Sequence, residues 1–247
     1  MSSPPAPLLT VITVTYNDID GVSGTLDSLR HLLTSGLVES IVIDGGTDAQ
    51  LIQELRSRYP DSLIVSEPDD GLYDAMNKGI AMARGKFLWF LNGGDMCEIG
   101  PDQLLRIVSD TAPDYLLYFG YILDFNNGTV VNRRSRHPLY LWHALPTSHQ
   151  AILYGNKAIS AHRYDPSYPV SADYEFTLKV AKGAGGVSTQ RVAVARFVVG
   201  GTSTVNAPQI ALDAARAQHS AGAPRSWSLV STGLHRLSAF ARRVRSM

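Results

Sequence analysis

Four short segments gather carboxylates, amides, hydroxyls and glycines in patterns that could hold a phosphorylated ligand: Thr15-Tyr16-Asn17-Asp18, Asp44-Gly45-Gly46-Thr47-Asp48, Glu67-Pro68-Asp69-Asp70-Gly71 and Asn92-Gly93-Gly94-Asp95. Carboxylates and amides can accept hydrogen bonds from a ribose or a base, and glycine lets a ligand come close to the backbone. None of the four cradles phosphate on its own. Neither the P-loop pattern nor the glycine fingerprint of dinucleotide binders follows the first apolar run, and the nearest basic residue beyond that run is Arg30. A diphosphate bound here needs a metal ion to offset its charge. Asp95 is the candidate ligand, a carboxylate able to bind Mg²⁺ or Mn²⁺ while phosphate oxygens and waters complete the octahedron. The alternative for Asp95 is that it only caps the following turn.

The elements that must position these segments are legible in the apolar pattern. Runs bounded by turn residues at Leu8 to Thr15, Ser40 to Ile43, Leu63 to Ser66 and Phe87 to Leu91 predict buried strands. Between them, Gly21 to Leu33, Asp48 to Tyr59 and Leu72 to Ala83 carry helical spacing, the last placing Leu72, Ala75, Met76, Gly79, Ile80 and Ala83 on one face. Alternation of strand and helix implies a parallel sheet flanked by helices, whose ligands collect beyond the carboxyl ends of the strands. All four polar segments sit at those ends and should line one cleft.

The second half is less regular. A strand at Tyr115 to Leu123, a turn at Asn126 to Gly128 and apolar residues at Ala151 to Tyr154 suggest antiparallel additions. A helix over Ala172 to Ala181 and a strand over Val187 to Val199 follow, and the chain reads as helical after Pro208. This divides the chain into residues 1–110, a ligand-binding half, residues 111–206, a second half of the same α/β domain, and residues 207–247, a helical tail.

Composition bounds the partners. Lys plus Arg number 22 and Asp plus Glu number 22, so no global positive field exists to hold a nucleic-acid backbone. The single cysteine, Cys97, excludes an intramolecular disulfide and suits a reducing, cytoplasmic compartment. Met1 to Pro7 lacks the features of a signal peptide, and no run approaches the roughly 20 apolar residues that span a bilayer. A soluble or membrane-peripheral protein is expected.

The series Val-Ile-Asp-Gly-Gly, Ser-Glu-Pro-Asp-Asp-Gly-Leu-Tyr-Asp-Ala-Met-Asn-Lys-Gly and Phe-Leu-Asn-Gly-Gly-Asp resembles the inverting family-two glycosyltransferases in both order and spacing, from about Leu8 to Gly201. The resemblance implies the glycosyltransferase A fold and transfer of a sugar from a nucleotide-diphosphate sugar to a glycan or lipid-linked acceptor, in cell-envelope or polysaccharide synthesis. By the same resemblance Thr15 and Asn17 line the base pocket, Tyr16 belongs to the donor site, and Asp44 contacts the nucleotide. Asp69, Asp74, Lys78 and Asn92 lie beside the donor, and Asp95 is the metal-binding member of the acidic motif. Asp74 and Lys78, four residues apart, are alternatively a plain intrahelical ion pair. Two departures stand out. The motif Asn92-Gly93-Gly94-Asp95 offers one carboxylate where the family usually has two or three, a form shared with exopolysaccharide-type members, and the Asp44 loop is one residue short.

Inverting transfer needs a base that takes the acceptor's proton as its oxygen attacks the anomeric carbon. Ser171-Ala172-Asp173-Tyr174-Glu175 resembles the family's Ala-Asp-Tyr-Asp stretch, which makes Asp173 the base and Glu175 the reserve on the acceptor side. The other reading is a helix N-cap ahead of Phe176; the two roles are compatible, because a helix start favours a charged aspartate. His149-Gln150 resembles a pair bordering the acceptor, whereas His137, His143 and His162 read as structural. Gly200-Gly201-Thr202-Ser203 resembles a glycine turn that closes over the donor.

Between Trp227 and Arg245 apolar residues recur near helical spacing with five basic or histidine residues and no acid. This tail either packs on the domain or lies on an anionic membrane surface, where each basic residue adds about 1 kcal/mol. The rival activities are sugar nucleotidyl transfer, which needs cations to hold a triphosphate, and a catalytically dead nucleotide-sugar-binding module.

Overall fold

The structure, a computed structural model, describes residues 6–125, 127–199, 207–224 and 226–234. Its strands are β1 (Leu9–Thr15), β2 (Val38–Asp44), β3 (Ser62–Ser66), β4 (Phe87–Phe90), β5 (Met96–Cys97), β6 (Tyr115–Phe125), β7 (Thr129–Arg133), β8 (Ile152–Gly155) and β9 (Gly186–Val198). Its helices are α1 (Ile19–Leu33), α2 (Ala49–Arg58), α3 (Leu72–Met82), α4 (Pro101–Val108), α5 (Asn156–Ile159), α6 (Ala172–Gly183) and α7 (Ala207–Ser220). No helix among the described residues is long and apolar enough to cross a membrane.

All nine strands belong to one sheet of order β3-β2-β1-β4-β8-β6-β9-β5, with β7 paired to β6. The β3-β2-β1-β4 part is parallel, as the strand-helix alternation requires. Strand β8 then enters antiparallel between β4 and β6, which is the antiparallel addition expected of the second half. Strand β4 is apolar at every position because both faces of the sheet are covered. Phe87 and Trp89 pack with Leu29, Leu32 and Leu104 from α1 and α4. Leu88 and Phe90 pack with Met76, Ile80, Phe176 and Val180 from α3 and α6.

Each parallel strand hands over to its helix through a short polar turn. Asp18 accepts the Gly21 N–H at 2.8 Å and so caps α1, and Asp48 accepts from Gln50 and Leu51 at the start of α2. Gly71, at φ +105°, turns the chain into α3. The sequence reading had no counterpart for β5, α4 or α5. Strand β5 has two residues and α5 one turn, too short for a periodic signature; α4 has two turns, opens on Pro101 and buries Leu104 and Val108 at helical spacing, a pattern that was legible.

Gly79 sits mid-helix in α3, where alanine would ordinarily gain about 1 kcal/mol. A Cβ at that position would lie 2.4 Å from Cγ2 of Ile12 on β1, and a β-branched side chain in a buried strand cannot swing away. Overpacking therefore decides the sign: Gly79→Ala is expected to destabilise by about 1–3 kcal/mol, read as a lowered midpoint in urea. An unchanged or raised midpoint would show that α3 is free to shift off β1.

Candidate active site

The carboxyl ends of β1, β2 and β3 are tied together by one buried carboxylate. Asp44, fully buried, accepts from the backbone N–H groups of Gly46 at 3.1 Å and Thr47 at 2.8 Å, from the Thr47 hydroxyl, and from Ser66 Oγ at 2.6 Å. Thr47 Oγ1 in turn accepts the N–H of Asn17 at 2.9 Å. Asn17 is the one described non-glycine residue in the left-handed region, at φ +51°, a conformation asparagine tolerates. Asp44 was expected to contact a nucleotide. Its carboxylate accepts from the N–H groups of the Asp44-to-Thr47 turn and ties together the loops that form the wall of the cleft, whose lining does not include Asp44 itself.

That wall encloses a cleft of about 550 Å³ whose lining includes Thr15, Tyr16, Asp18, Gly45, Asp69 and Gly93. Tyr16 is 67 % exposed, which leaves an aromatic face open at the mouth. Gly45 is required there: a Cβ would meet Asp69 Oδ2 at 2.8 Å and the Tyr16 ring at 3.1 Å. Asp69 also accepts the Gly71 N–H at 2.9 Å, fixing the turn into α3. Asp74 and Lys78 do not reach this lining. Lys78 Nζ pairs with Glu67 at 3.0 Å and Asp74 at 3.4 Å and donates to the Pro68 carbonyl at 2.9 Å, so this pair braces the loop that carries Asp69.

A second cavity of about 720 Å³ adjoins the first and shares Gly71 and Leu72 with it. Its lining includes Asn92, His149, Gln150 and Asp173. The Asn92-to-Asp95 loop lies at the seam, Gly93 facing the first cavity and Asn92 the second. Helix α1 pins it: Thr25 Oγ1 donates to the Asn92 carbonyl at 3.2 Å and accepts the Gly94 N–H at 3.0 Å. Asp95 is buried, and burial pushes its carboxyl up to about 7 against the N–H of Asn92 and the side chain of Gln150, which favour the charged form.

Two oxygen groups meet at this seam, the Asn92 amide and the Asp95 carboxylate, which accepts the Asn92 N–H at 3.0 Å and itself lines neither cavity. Asn92 Oδ1 is buried without a hydrogen-bond partner, and an orphaned amide oxygen beside a buried carboxylate is stabilised by an oxygen-seeking ion. Among the described residues no three His, Cys, Asp or Glu side chains converge to hold a metal, so protein oxygens alone do not complete a coordination sphere.

Asp173 lies in the first turn of α6 and accepts the Tyr174 N–H at 2.8 Å. Ser171 holds the cap position without a side-chain hydrogen bond, so Asp173 serves the helix start while facing the cavity. Burial pushes its carboxyl up to about 6 and outweighs the N–H groups of Tyr174 and of Asp173 itself, which pull it down. His149 stacks on Phe90 with centroids 5.2 Å apart, and its Nε2 lies 2.7 Å from the Tyr164 hydroxyl. Burial lowers its pKa to about 4, which leaves a neutral ring that shapes the cavity. Glu175, the expected reserve base, does not line it. The side chain is buried against Lys179, on the far side of α6 from Asp173. The glycine turn at 200–203 lies outside the described residues, as do 235–247 of the tail.

Several lining residues carried no advance signal. Tyr73, Leu145, Pro169 and Val170 reach the second cavity through long-range packing, and Tyr73 is fixed by donating to the Val170 carbonyl at 3.1 Å. Thr25 reads as one more polar helix residue until the Asn92 loop is seen against it.

Comparison with known proteins agrees with this geometry. The family described as Glycosyl transferase family 2 matches residues 10–165. An uncharacterized glycosyltransferase of Mycobacterium tuberculosis is 36% identical over 187 residues, covering 71% of this chain and 70% of that protein. A PGL/p-HBAD biosynthesis glycosyltransferase of Mycobacterium bovis is 28% identical over 182 residues, 70% of each chain. Among solved structures, S. aureus TarS 1-349 in complex with UDP-GlcNAc superposes with a TM-score of 0.64 at 16% identity, over 89% of this chain and 69% of that one. The mannosyltransferase PcManGT from Pyrobaculum calidifontis, in complex with GDP-Man and Mn²⁺, gives 0.59 at 13%, over 96% and 76%. These likenesses establish the glycosyltransferase A fold, and the sequence match to most of the domain makes the chain a member of glycosyl transferase family 2.

Proposed function

We propose that the chain transfers a sugar, with inversion, from a uridine- or guanosine-diphosphate sugar in the β1–β3 cleft to a hydroxyl of a glycan or lipid-linked acceptor in the adjoining cavity. The observation that carries this reading is the continuity of the two cavities through Gly71 and Leu72, with the Asn92-to-Asp95 loop at the seam and Asp173 in the second cavity. Sugar donor and acceptor must meet at such a seam. Tyr16 offers a face for the base, and the nucleotide sugars bound to TarS and PcManGT support the choice of uridine or guanosine.

The acceptor hydroxyl gives its proton to Asp173 as its oxygen bonds to the anomeric carbon. The bond from that carbon to the diphosphate breaks, and the nucleoside diphosphate leaves with the electron pair. Mn²⁺ or Mg²⁺ held by Asp95 and the Asn92 amide oxygen would offset the charge of the departing diphosphate. No Lys or Arg among the described residues lines either cavity, which favours a metal-held diphosphate over a triphosphate and so over nucleotidyl transfer. The buried, unpaired Cys97 suits work in a reducing compartment.

A thermal-shift panel of UDP, GDP, dTDP and ADP with and without Mn²⁺ tests the donor site. At a hundredfold excess over Kd a ligand stabilises by about 2.7 kcal/mol, or roughly 5–10 °C for a chain of this size. One nucleotide is expected to stand out and to gain further from Mn²⁺, and Asp95→Ala should remove only the Mn²⁺ increment. Indifference of the wild-type protein to every nucleotide would sink the reading.

A further inference from the structure

The chain is neutral overall, yet its charges are unevenly placed. Residues 126–164 carry five Lys and Arg and residues 214–247 carry six, half of the chain's 22, and neither stretch contains one of its 22 acids. The fold brings described parts of these two stretches together. The turn Pro138–Trp142 and the helical residues 226–234 form an apolar groove of about 710 Å³, lined by Leu139, Leu141, Trp142, Leu178, Trp227 and Val230. The two tryptophan rings meet edge to face with centroids 6.3 Å apart. Leu139 in this lining stands 76 % exposed, and Leu229, on the helical residues that supply Trp227 and Val230, stands 75 % exposed, apolar surface that water disfavours. Arg136 lies over the Tyr140 ring of this turn at 4.2 Å; it and the preceding Arg133 and Arg134 are exposed, and none of the three has a carboxylate partner among the described residues.

Each part of this surface narrows the occupant. A nucleic acid would engage the arginines and leave Leu139 and Leu229 in water, and an apolar protein face would leave the arginines without counter-charge. Protruding leucines, paired indoles and unpaired guanidinium groups together match the zone between acyl chains and acidic headgroups. We propose that this face docks on an anionic lipid surface. It is not the terminal helix alone: one wall is the Pro138–Trp142 turn, and residues 235–247 are not needed to define it. The position is also apt. The Tyr174 hydroxyl donates to the Leu141 carbonyl at 2.9 Å, and Leu178 follows Asp173 on α6 by about 8 Å of helix rise. The face and the acceptor cavity thus draw on the same helix, Leu178 projecting about 140° around it from Asp173.

The inference does not depend on the donor reading, and its test measures binding without turnover. The full chain is mixed with vesicles of phosphatidylcholine alone or of phosphatidylcholine with phosphatidylglycerol, both with brominated acyl chains. Binding is read by co-sedimentation and by quenching of tryptophan emission. Trp142 and Trp227 lie on the face and Trp89 is fully buried, so quenching reports this surface. Sedimentation with the anionic vesicles, quenched emission and weakening by salt are expected. The double change Arg134→Gln with Arg136→Gln should weaken binding about 30-fold, and Leu139→Asp with Leu229→Asp should abolish quenching. Trp142→Phe with Trp227→Phe, which keeps the surface apolar, should retain sedimentation while losing the signal. Absence of sedimentation, equal binding to both vesicles, or sedimentation without quenching would each overturn the proposal. So would self-association in solution that the leucine changes dissolve, since that would make a second copy the occupant.

Discussion

Asp173→Asn is expected to lower kcat by two to four orders of magnitude, the usual contribution of a positioned general base, while nucleoside-diphosphate affinity stays unchanged. Amide and carboxylate are nearly isosteric, so the cavity keeps its shape and only the proton acceptor is lost. Two further measurements separate this from a structural fault. With its carboxyl at about 6, wild-type turnover should fall about tenfold per pH unit below that value as the base becomes protonated. The stability effect has the opposite sense from a salt-bridged carboxylate. The folded chain holds this proton more tightly than the unfolded chain, whose value is 3.8, so ionising Asp173 costs stability progressively as pH rises from about 4 to 6. The asparagine variant should therefore melt higher than wild type at pH 7, with the gap closing toward pH 4. Wild-type turnover in the variant would remove Asp173 from the chemistry; a lower melting point at pH 7 would show that burial is not what raises its pKa.

Asp44→Ala is expected to cost about 3–5 kcal/mol, roughly 10–15 °C in melting temperature for a chain of this length, and to reduce nucleotide affinity at least tenfold. The alanine leaves the N–H groups of Gly46 and Thr47 and the hydroxyls of Thr47 and Ser66 without their acceptor. It also releases the bond that holds Asn17 in its left-handed conformation. The loops bearing Tyr16 and Gly45 then lose their mutual register. Loss of affinity with an undiminished melting temperature would mean instead that the carboxylate touches the ligand, as the sequence alone suggested.

The contrast between Asp44 and Asp173 shows what a sequence can and cannot convey. Strand ends are legible because apolar runs and glycine-rich turns are local, and the four polar segments do converge at one rim. Which way a carboxylate at such an end points is decided by the loop after it, and at Asp44 the N–H groups of Gly46 and Thr47 turn back onto the carboxylate. Asp74 and Lys78 were visible as an ion pair, but their partner Glu67 and the Pro68 carbonyl come from the preceding strand end, so their bracing role needed coordinates. Asp173 was found through resemblance. Its rise to about 6 depends on burial by residues distant in sequence, which no local pattern encodes.

The antiparallel entry of β8 between β4 and β6 has a consequence for how this enzyme can be divided. A fragment ending near residue 110 would keep every loop of the first cleft but expose the hydrogen-bonding edge of β4, flanked by Phe87 and Trp89, and such bare apolar edges invite aggregation. Recombining halves from different relatives would have to carry Ile152–Gly155 along with the amino-terminal portion.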